Sequence, residues 1–92
     1  MNKPYKDRLL KLTKDVKIFI RIFNNINIED MVWHRDSFHR KVELIEGKAI
    51  LYLDNQIPID MKLNVIYEIP KEVFHKAHPL TDYLEIKITE IL

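Results

Sequence analysis

The sequence contains no cysteine. Disulfide bonds, thiolate nucleophiles, thiolate-bound zinc and iron–sulfur clusters are therefore excluded, and a metal ion would have to be bound by histidine and carboxylate side chains. Long apolar runs are also absent. The first 15 residues, MNKPYKDRLLKLTKD, lack the continuous apolar core of a secretory signal, and no later run is long enough to cross a bilayer. We therefore expect a cytoplasmic protein that does not enter a membrane.

An excess of charge of one sign is missing as well. Fifteen lysines and arginines balance fourteen aspartates and glutamates, which leaves a formal net charge of +1. Such a chain has no overall field to attract nucleic acid, so nucleic-acid binding is not expected. The 92 residues suffice for one core, and a hydrophobic content of 47% is too high for a disordered segment. The composition predicts a single soluble globular domain.

Glycine occurs only once, although isoleucine occurs fourteen times, valine five times and threonine three times. These β-branched residues favour strands, whereas strand-rich proteins commonly use several glycines in their turns. Asparagine resolves this conflict, because it is among the few other residues that adopt positive φ. We predict that Gly47 forms one tight turn and that asparagines form the other corners, at Asn24, Asn25, Asn55 and Asn64.

The N-terminal segment differs in pattern from the rest of the chain. We interpret residues 1–15 as an N-terminal extension and residues 16–92 as a single barrel. In the extension, Tyr5, Leu9 and Leu12 are spaced three or four residues apart. This spacing predicts a short amphipathic helix, with an extended segment as the alternative.

The remaining chain consists of short strands separated by turns. Alternation with a period of two predicts strands over residues 16–23, 38–46, 49–53, 65–69 and 83–91. Asn27 caps a short helical turn after the first strand, and Pro58 marks a brief edge strand. His78 precedes Pro79 and is expected in a loop. Six or seven strands at this spacing predict an all-β sandwich or barrel.

Two histidines and one aspartate form the group of residues that could carry chemistry. If residues 34–44 are extended, His34, Asp36 and Arg40 point to the same side as the apolar residues that follow them, which is the interior. Together with the distant His75, this gives two imidazoles and one carboxylate. That ligand set suits Fe²⁺, and Zn²⁺ or Mn²⁺ is chemically acceptable too. The alternative is an interior ion pair between Arg40 and Asp36.

These residues resemble the two sequence motifs of the cupin superfamily. The first motif is matched by His34-x-Asp36, Arg40 and Gly47, and the second by Asn64, Pro70 and His75. Asp36 stands where the family usually has a second histidine, and Arg40 stands where it usually has a glutamate. The WHRD string at residues 33–36 and the IPK string before His75 look like those of small phage and bacterial cupins.

The resemblance covers residues 16–91 and implies a small double-stranded β-helix, the jelly-roll barrel of the cupins. It also implies a metal site formed by His34, Asp36 and His75, and a homodimer. An apolar dimer contact through Phe19, Phe23 or the N-terminal helix would help, because a barrel of this size buries limited area.

Three functions are compatible with this sequence. The first is a metal-dependent enzyme acting on a small molecule, with no catalytic residue identified beyond the metal ligands. The second is a metal-free module that binds a small anionic ligand, and the third is a structural or partner-binding barrel. For a ligand, we expect Arg40, Trp33, Tyr52 and Tyr67 to line the binding site.

Overall fold

The computed structural model describes residues 5–92. These residues form eight strands and one short 3₁₀ helix (η1), in the order β1 (Tyr5–Leu12), β2 (Val16–Asn24), η1 (Ile28–Asp30), β3 (His39–Glu46), β4 (Ala49–Leu53), β5 (Ile59–Asp60), β6 (Ile66–Ile69), β7 (His75–Pro79) and β8 (Tyr83–Ile91). Residues 1–4 of the expected N-terminal extension lie outside the described residues. Within residues 5–92, the helical structure does not reach the length and hydrophobicity needed to cross a membrane.

The strands form two antiparallel sheets. One sheet has five strands in the order β1-β2-β8-β3-β6, and the other has three strands in the order β5-β4-β7. Apart from the β1–β2 hairpin, strands that are adjacent in the larger sheet are distant in sequence, and the chain crosses repeatedly from one sheet to the other. This is the connectivity of a jelly roll, and it confirms the all-β barrel that the alternating pattern predicts.

The hydrophobic core lies between the two sheets. Alternate residues of β8 point into it, and Leu84, Ile86 and Ile88 are at most 6% exposed. Phe19 and Phe23 of β2, expected at a dimer surface, are 2% and 6% exposed and belong to this core instead. Other members of the core come from both sheets and from the turns: Val42, Leu44, Ala49, Leu51, Leu53, Met61 and Ile69.

Residues 5–12 form strand β1, so the extended alternative is correct and the amphipathic helix is not. β1 lies at the edge of the larger sheet and pairs with β2, with a bulge between Leu9 and Lys11. The bulge adds one residue to the strand. Leu9 pairs with Phe19 and Leu12 pairs with Lys17, so the two leucines lie on the same face of the sheet although they are three residues apart. A bulged strand therefore imitates the spacing of a helix in the sequence.

The turns follow the prediction from the residue types, except that Asn24, also expected at a corner, is the last residue of β2. Positive φ angles occur at Asn25, Asn55 and Asn64, and at Gly47, where φ is 93°. A Cβ atom on Gly47 would lie 2.3 Å from the main-chain oxygen of Tyr83, so this corner requires glycine for space as well as for conformation. Among residues 5–92, Glu72 also has a positive φ, of 63°, and this was not predicted.

The short elements agree with the sequence predictions in two cases and differ from them in one. The side chain of Asn27 accepts a hydrogen bond from the Glu29 amide at 3.1 Å, which confirms the predicted cap of η1. β5 is an edge strand, as the neighbouring Pro58 indicated. Strand β7 was missed: His78, expected in a loop, lies in β7 opposite Ile50 of β4.

Candidate metal site

Main-chain hydrogen bonds bring the two histidines of the expected ligand set together. The His34 amide donates to the His75 carbonyl at 2.9 Å, and the His75 amide donates to the His34 carbonyl at 2.8 Å. The two residues thus form an isolated antiparallel bridge at the entrance to β7. Their rings lie 4.3 Å apart between centroids, on the side of the bridge that faces the space between the sheets.

Both histidine rings are oriented by main-chain carbonyl groups. Nδ1 of His34 lies 3.0 Å from the Val32 oxygen, and Nδ1 of His75 lies 2.9 Å from the Val73 oxygen. Because a carbonyl group only accepts, each Nδ1 must carry the hydrogen. In the neutral rings, the lone pair is therefore on Nε2 and points into the site, the arrangement that metal-binding histidines commonly have.

The Asp36 carboxylate completes the group. Its Oδ2 atom lies 3.2 Å from Nε2 of His75 and 4.0 Å from Nε2 of His34. Two atoms bound to the same ion at about 2.1 Å each lie no more than about 4.2 Å apart. Asp36 Oδ2 therefore lies within this distance of both rings, and one donor atom from each of the three side chains lies within 4.8 Å of the others.

One atom of the site is buried without a hydrogen bond. Arg40 Nη1 lies 2.9 Å from Asp36 Oδ2, but no hydrogen bond of acceptable geometry within residues 5–92 reaches this oxygen. His75 Nε2 is the other nearby atom, and in the neutral ring it presents a lone pair to the oxygen. Two electron-pair donors at 3.2 Å repel each other unless a cation or proton lies between them. The residues present thus fit a metal ion.

Burial keeps His75 in the form that a metal requires. The side chain of His75 is 5% exposed, whereas that of His34 is 47% exposed. Burial is the main cause that lowers the pKa of His75; the hydrogen bond to the Val73 carbonyl acts in the opposite direction. The ring is consequently neutral at physiological pH, and the site opens to solvent on the His34 side.

Arg40 is held by two carboxylates rather than by one. Its Nε and Nη2 atoms lie 2.9 and 2.7 Å from Glu90 Oε2, and its Nη1 atom approaches Asp36. Both Arg40 and Glu90 are about 10% exposed at their side chains. Glu90 thus compensates the charge of Arg40, and the negative charge of Asp36 is left for the histidine side of the site.

The loop before β7 fixes the main chain of Asp36. The Glu72 amide donates to the Asp36 carbonyl at 2.8 Å, and the Glu72 backbone has the positive φ noted above. The Glu72 side chain also pairs with Arg35 at 3.6 Å, and the Arg35 guanidinium lies over the ring of Phe74. The strained residue is therefore part of the support that joins the two ligand-bearing segments.

The three side chains lie at a cavity of about 320 Å³ between the sheets. This volume is at the lower end of the range for small-molecule sites, roughly 300–1,000 Å³. Arg40 and Arg21 also line it. Most of the wall is apolar and comes from the core: Phe23, Met31, Val42, Leu51, Met61, Ile69, Ile86 and Ile88.

The aromatic residues expected around a ligand lie elsewhere. Trp33 and Tyr52 are in edge-to-face contact at 6.2 Å, and Tyr52 alternates with core residues of β4, so this pair lies on the outer surface of the three-stranded sheet. Tyr67 packs against the core and accepts a hydrogen bond from the Lys62 amide at 2.8 Å. None of these three residues is among those that line the cavity.

Sequence reasoning missed three charged residues: Arg21 and Asp30 line the cavity, and Glu90 lies at its edge beside Arg40. Glu90 continues the inward phase of Leu84, Ile86 and Ile88 on β8, and this signal was present in the alternation. Arg21 likewise lies between Phe19 and Phe23 on the inward face of β2. In both strands, the charged residue occupies the same alternating phase as the apolar core residues.

No protein-family model matches the chain, and no curated protein matches its sequence. Solved structures do match the fold of this chain. The chain is similar to an RmlC-like cupin family protein from Methanocaldococcus jannaschii, with a TM-score of 0.75, 22% identity, and coverage of 98% of this chain and 82% of that one. It is also similar to a cupin-2 domain protein from Shewanella frigidimarina, with a TM-score of 0.75, 22% identity, and coverage of 100% and 85%.

A third similar structure is a candidate mannose-6-phosphate isomerase from Ralstonia eutropha, with a TM-score of 0.79, 16% identity, and coverage of 95% of this chain and 83% of that one. The architecture shared with these proteins extends over nearly the whole chain. At these identities the comparisons establish the fold. The chain has the double-stranded β-helix fold of the cupin structures, as the two motifs implied.

Proposed function

We propose that His34, Asp36 and His75 bind one divalent first-row transition-metal ion, and that the protein is a metal-dependent enzyme acting on a small molecule in the adjoining cavity. The observation that carries this proposal is the convergence of three electron-pair donors, with Asp36 Oδ2 only 3.2 Å from Nε2 of His75. Two imidazoles and one carboxylate favour Fe²⁺, Mn²⁺ or Zn²⁺ over Ca²⁺, which prefers oxygen ligands alone.

The charges around the site support a cation there. Arg40 would disfavour a metal ion if its charge were uncompensated, but it is paired with the buried Glu90 at 2.7 Å. The neutral His75 adds no positive charge. One net negative charge, that of Asp36, therefore faces the ion.

The cavity determines what kind of molecule the protein would act on. Three protein ligands leave coordination positions open for a substrate, and a bound ion of this type supplies Lewis acidity toward a substrate oxygen. The apolar wall excludes water and binds an apolar substrate body, while Arg40 orients polar groups near Asp36. The isomerase candidate among the similar structures agrees with chemistry on a small polar molecule, and the reaction type stays open.

A metal-free binding module is the second candidate. The distance of 2.9 Å between Arg40 Nη1 and Asp36 Oδ2 favours it, because this contact forms an ion pair without any metal. In that case a small anion would bind at Arg40. Thermal-shift titration in EDTA tests it: an anion that raises the melting temperature of the wild-type protein but not of Arg40→Gln supports the binding module.

Metal content tests the main proposal directly. The protein is purified without a histidine tag and reconstituted anaerobically with Fe²⁺, Mn²⁺ or Zn²⁺, and bound metal is measured by elemental analysis. We expect one ion per chain in the wild-type protein and at least about a tenfold loss of affinity in Asp36→Asn and His75→Gln. His39→Gln is the control, because His39 lies on the outer face of β3 near Glu68. Equal, substoichiometric metal in all four proteins would exclude the metal site.

A further inference from the structure

A second cationic group, Arg21, lines the cavity that contains His34, Asp36 and His75. Arg21 of β2 is opposite Ile86 of β8, whereas Arg40 of β3 is opposite Glu90 of the same strand. Four residues along a strand correspond to about 13 Å. The main-chain positions of the two arginines are therefore separated along the strand direction by this distance, and both side chains line the same cavity.

Contacts with β1 orient the Arg21 guanidinium. Nε and Nη2 bind the two oxygens of Asp7 at 2.9 and 3.0 Å, and the guanidinium lies 3.7 Å from the centroid of the Tyr5 ring. The Arg21 side chain is 15% exposed. Such bidentate pairing and stacking fix the plane of the group before a ligand arrives.

The pairing with Asp7 leaves donor capacity on Arg21. A guanidinium group has five N–H donors, and the Asp7 carboxylate engages one on Nε and one on Nη2. Within residues 5–92, no hydrogen-bond acceptor is found for Nη1 of Arg21. This nitrogen carries two hydrogens that can bind a carboxylate or phosphate oxygen.

The wall between the two arginines is mostly apolar. Val42 is in register with Ile88, between the levels of Arg21 and Arg40 along β8, and Leu51 also lines the cavity. A ligand that reaches from the metal-site residues to Arg21 must therefore have an apolar middle, because a polar one would lose its hydrogen bonds to water there.

We propose that Arg21 determines substrate specificity by binding the anionic end of an elongated small molecule whose other end reaches His34, Asp36 and His75. This inference rests on the proposed function, because it uses the metal site as the first anchor. The substrate class is a small organic acid with two polar ends and an apolar middle. Arg21 acts as a binding residue at the far end and takes no part in the metal site.

A matched pair of probe ligands tests Arg21 separately from the metal. Octanoate and octanedioate have the same chain length, and only the second has a carboxylate at both ends. Each is titrated by calorimetry into the Mn²⁺-loaded full-length protein, whose metal content is measured first. In the wild-type protein we expect octanedioate to bind at least about tenfold more tightly than octanoate, because the second carboxylate forms a charge-assisted hydrogen bond with Arg21.

Four variants make the result specific to this residue. Arg21→Gln should bind octanedioate no more tightly than octanoate while it retains its Mn²⁺, and Arg21→Lys should retain part of the preference. Asp7→Asn should keep or increase the preference, because a competing carboxylate is removed. Arg8→Gln is the control: it removes the same charge from an exposed residue of β1 in register with Ile20, on the opposite face.

The outcomes separate this inference from the proposed function. The wild-type protein could bind Mn²⁺ and yet bind neither octanedioate nor octanoate, or bind the two acids equally tightly. In either case Arg21 is not the anion site, and the metal site stands. If Arg21→Gln and Asp7→Asn lower stability without changing the preference, the pair is only structural and the inference fails. If no metal binds, the proposed function fails first, and the two-anchor substrate class fails with it.

Discussion

His34 and His75 exchange two main-chain hydrogen bonds, of 2.9 and 2.8 Å, although they are far apart in the sequence. The bridge aligns two ligand-bearing segments through the backbone alone. The Nδ1 contacts to Val32 and Val73 then set the ring orientation. Protein groups alone therefore hold the two rings in this arrangement.

Metal binding should stabilise the fold. A ligand at a hundredfold excess over its dissociation constant adds about 2.7 kcal/mol to the free energy of unfolding. For a domain of this size, that corresponds to a rise in melting temperature of roughly 10–20 °C. We expect this rise when Mn²⁺ is added to EDTA-treated wild-type protein, measured by differential scanning calorimetry. Asp36→Asn should lose the rise and His39→Gln should keep it; an equal rise in both would contradict the assignment.

Replacing Glu90 should weaken both the fold and the metal site. In Glu90→Gln the buried Arg40 loses its charged partner, at a cost of about 3 kcal/mol in the free energy of unfolding, measured by urea denaturation. Arg40 then turns its charge toward Asp36, and Mn²⁺ affinity should fall at least about tenfold.

The double variant Arg40→Met/Glu90→Leu is the control for this prediction. It removes both charges together, so stability and Mn²⁺ affinity should largely return. A double variant that binds metal as poorly as Glu90→Gln would show that Glu90 acts through something other than the charge of Arg40.

Gly47 should be intolerant of any side chain. Gly47→Ala places a Cβ atom 2.3 Å from a main-chain oxygen, which cannot rotate away as a side chain would, at a residue with φ of 93°. We expect a loss of roughly 2–4 kcal/mol in the free energy of unfolding, measured by urea denaturation. Lys48→Ala, a change at the exposed neighbouring residue, should cost much less, and similar losses in the two variants would contradict the steric explanation.

The homodimer expected from the resemblance should form through β1. This strand leaves one edge unpaired, and its Leu9, Leu10 and Leu12 are each at least 50% exposed. Light scattering with size-exclusion chromatography should give a mass about twice 11.1 kDa for the wild-type protein and the monomer mass for Leu9→Lys/Leu12→Lys. Ile57→Lys changes a residue that is 87% exposed away from β1, so it should remain dimeric. A monomeric wild-type protein would refute this prediction.

Local alternation predicted much of the larger sheet because its central strands bury one face. β8 spans Tyr83–Ile91, as the sequence indicated, since its inward residues are uninterrupted apolar ones until Glu90. The edge strand β1 was misread because its bulge produces helical spacing. β7 was missed because its HKAHP sequence does not alternate in polarity, and its strand conformation depends on hydrogen bonds from β4, which are tertiary contacts.

The residues of the candidate site could be named from the sequence because their types and spacing match the two motifs, although residues 35–38 do not form part of a strand. His34, Asp36 and Arg40 do face the same cavity, and the ion pair of Arg40 with Asp36, which was the alternative to a metal site, is present. What spacing could not predict is the second partner of Arg40. Glu90 belongs to β8, which is distant from β3 in the sequence. It lies opposite Arg40 only because β8 pairs with β3 in the folded sheet.

Trp33 is the only tryptophan of the chain, and it directly precedes His34. Its ring is 46% exposed and lies against Tyr52, with the Lys76 ammonium 5.5 Å from its centroid. All tryptophan fluorescence of the protein therefore originates one residue away from the expected ion. Paramagnetic Mn²⁺ or Fe²⁺ bound at His34 would quench this emission, so the protein contains its own optical reporter of metal occupancy and needs no attached dye.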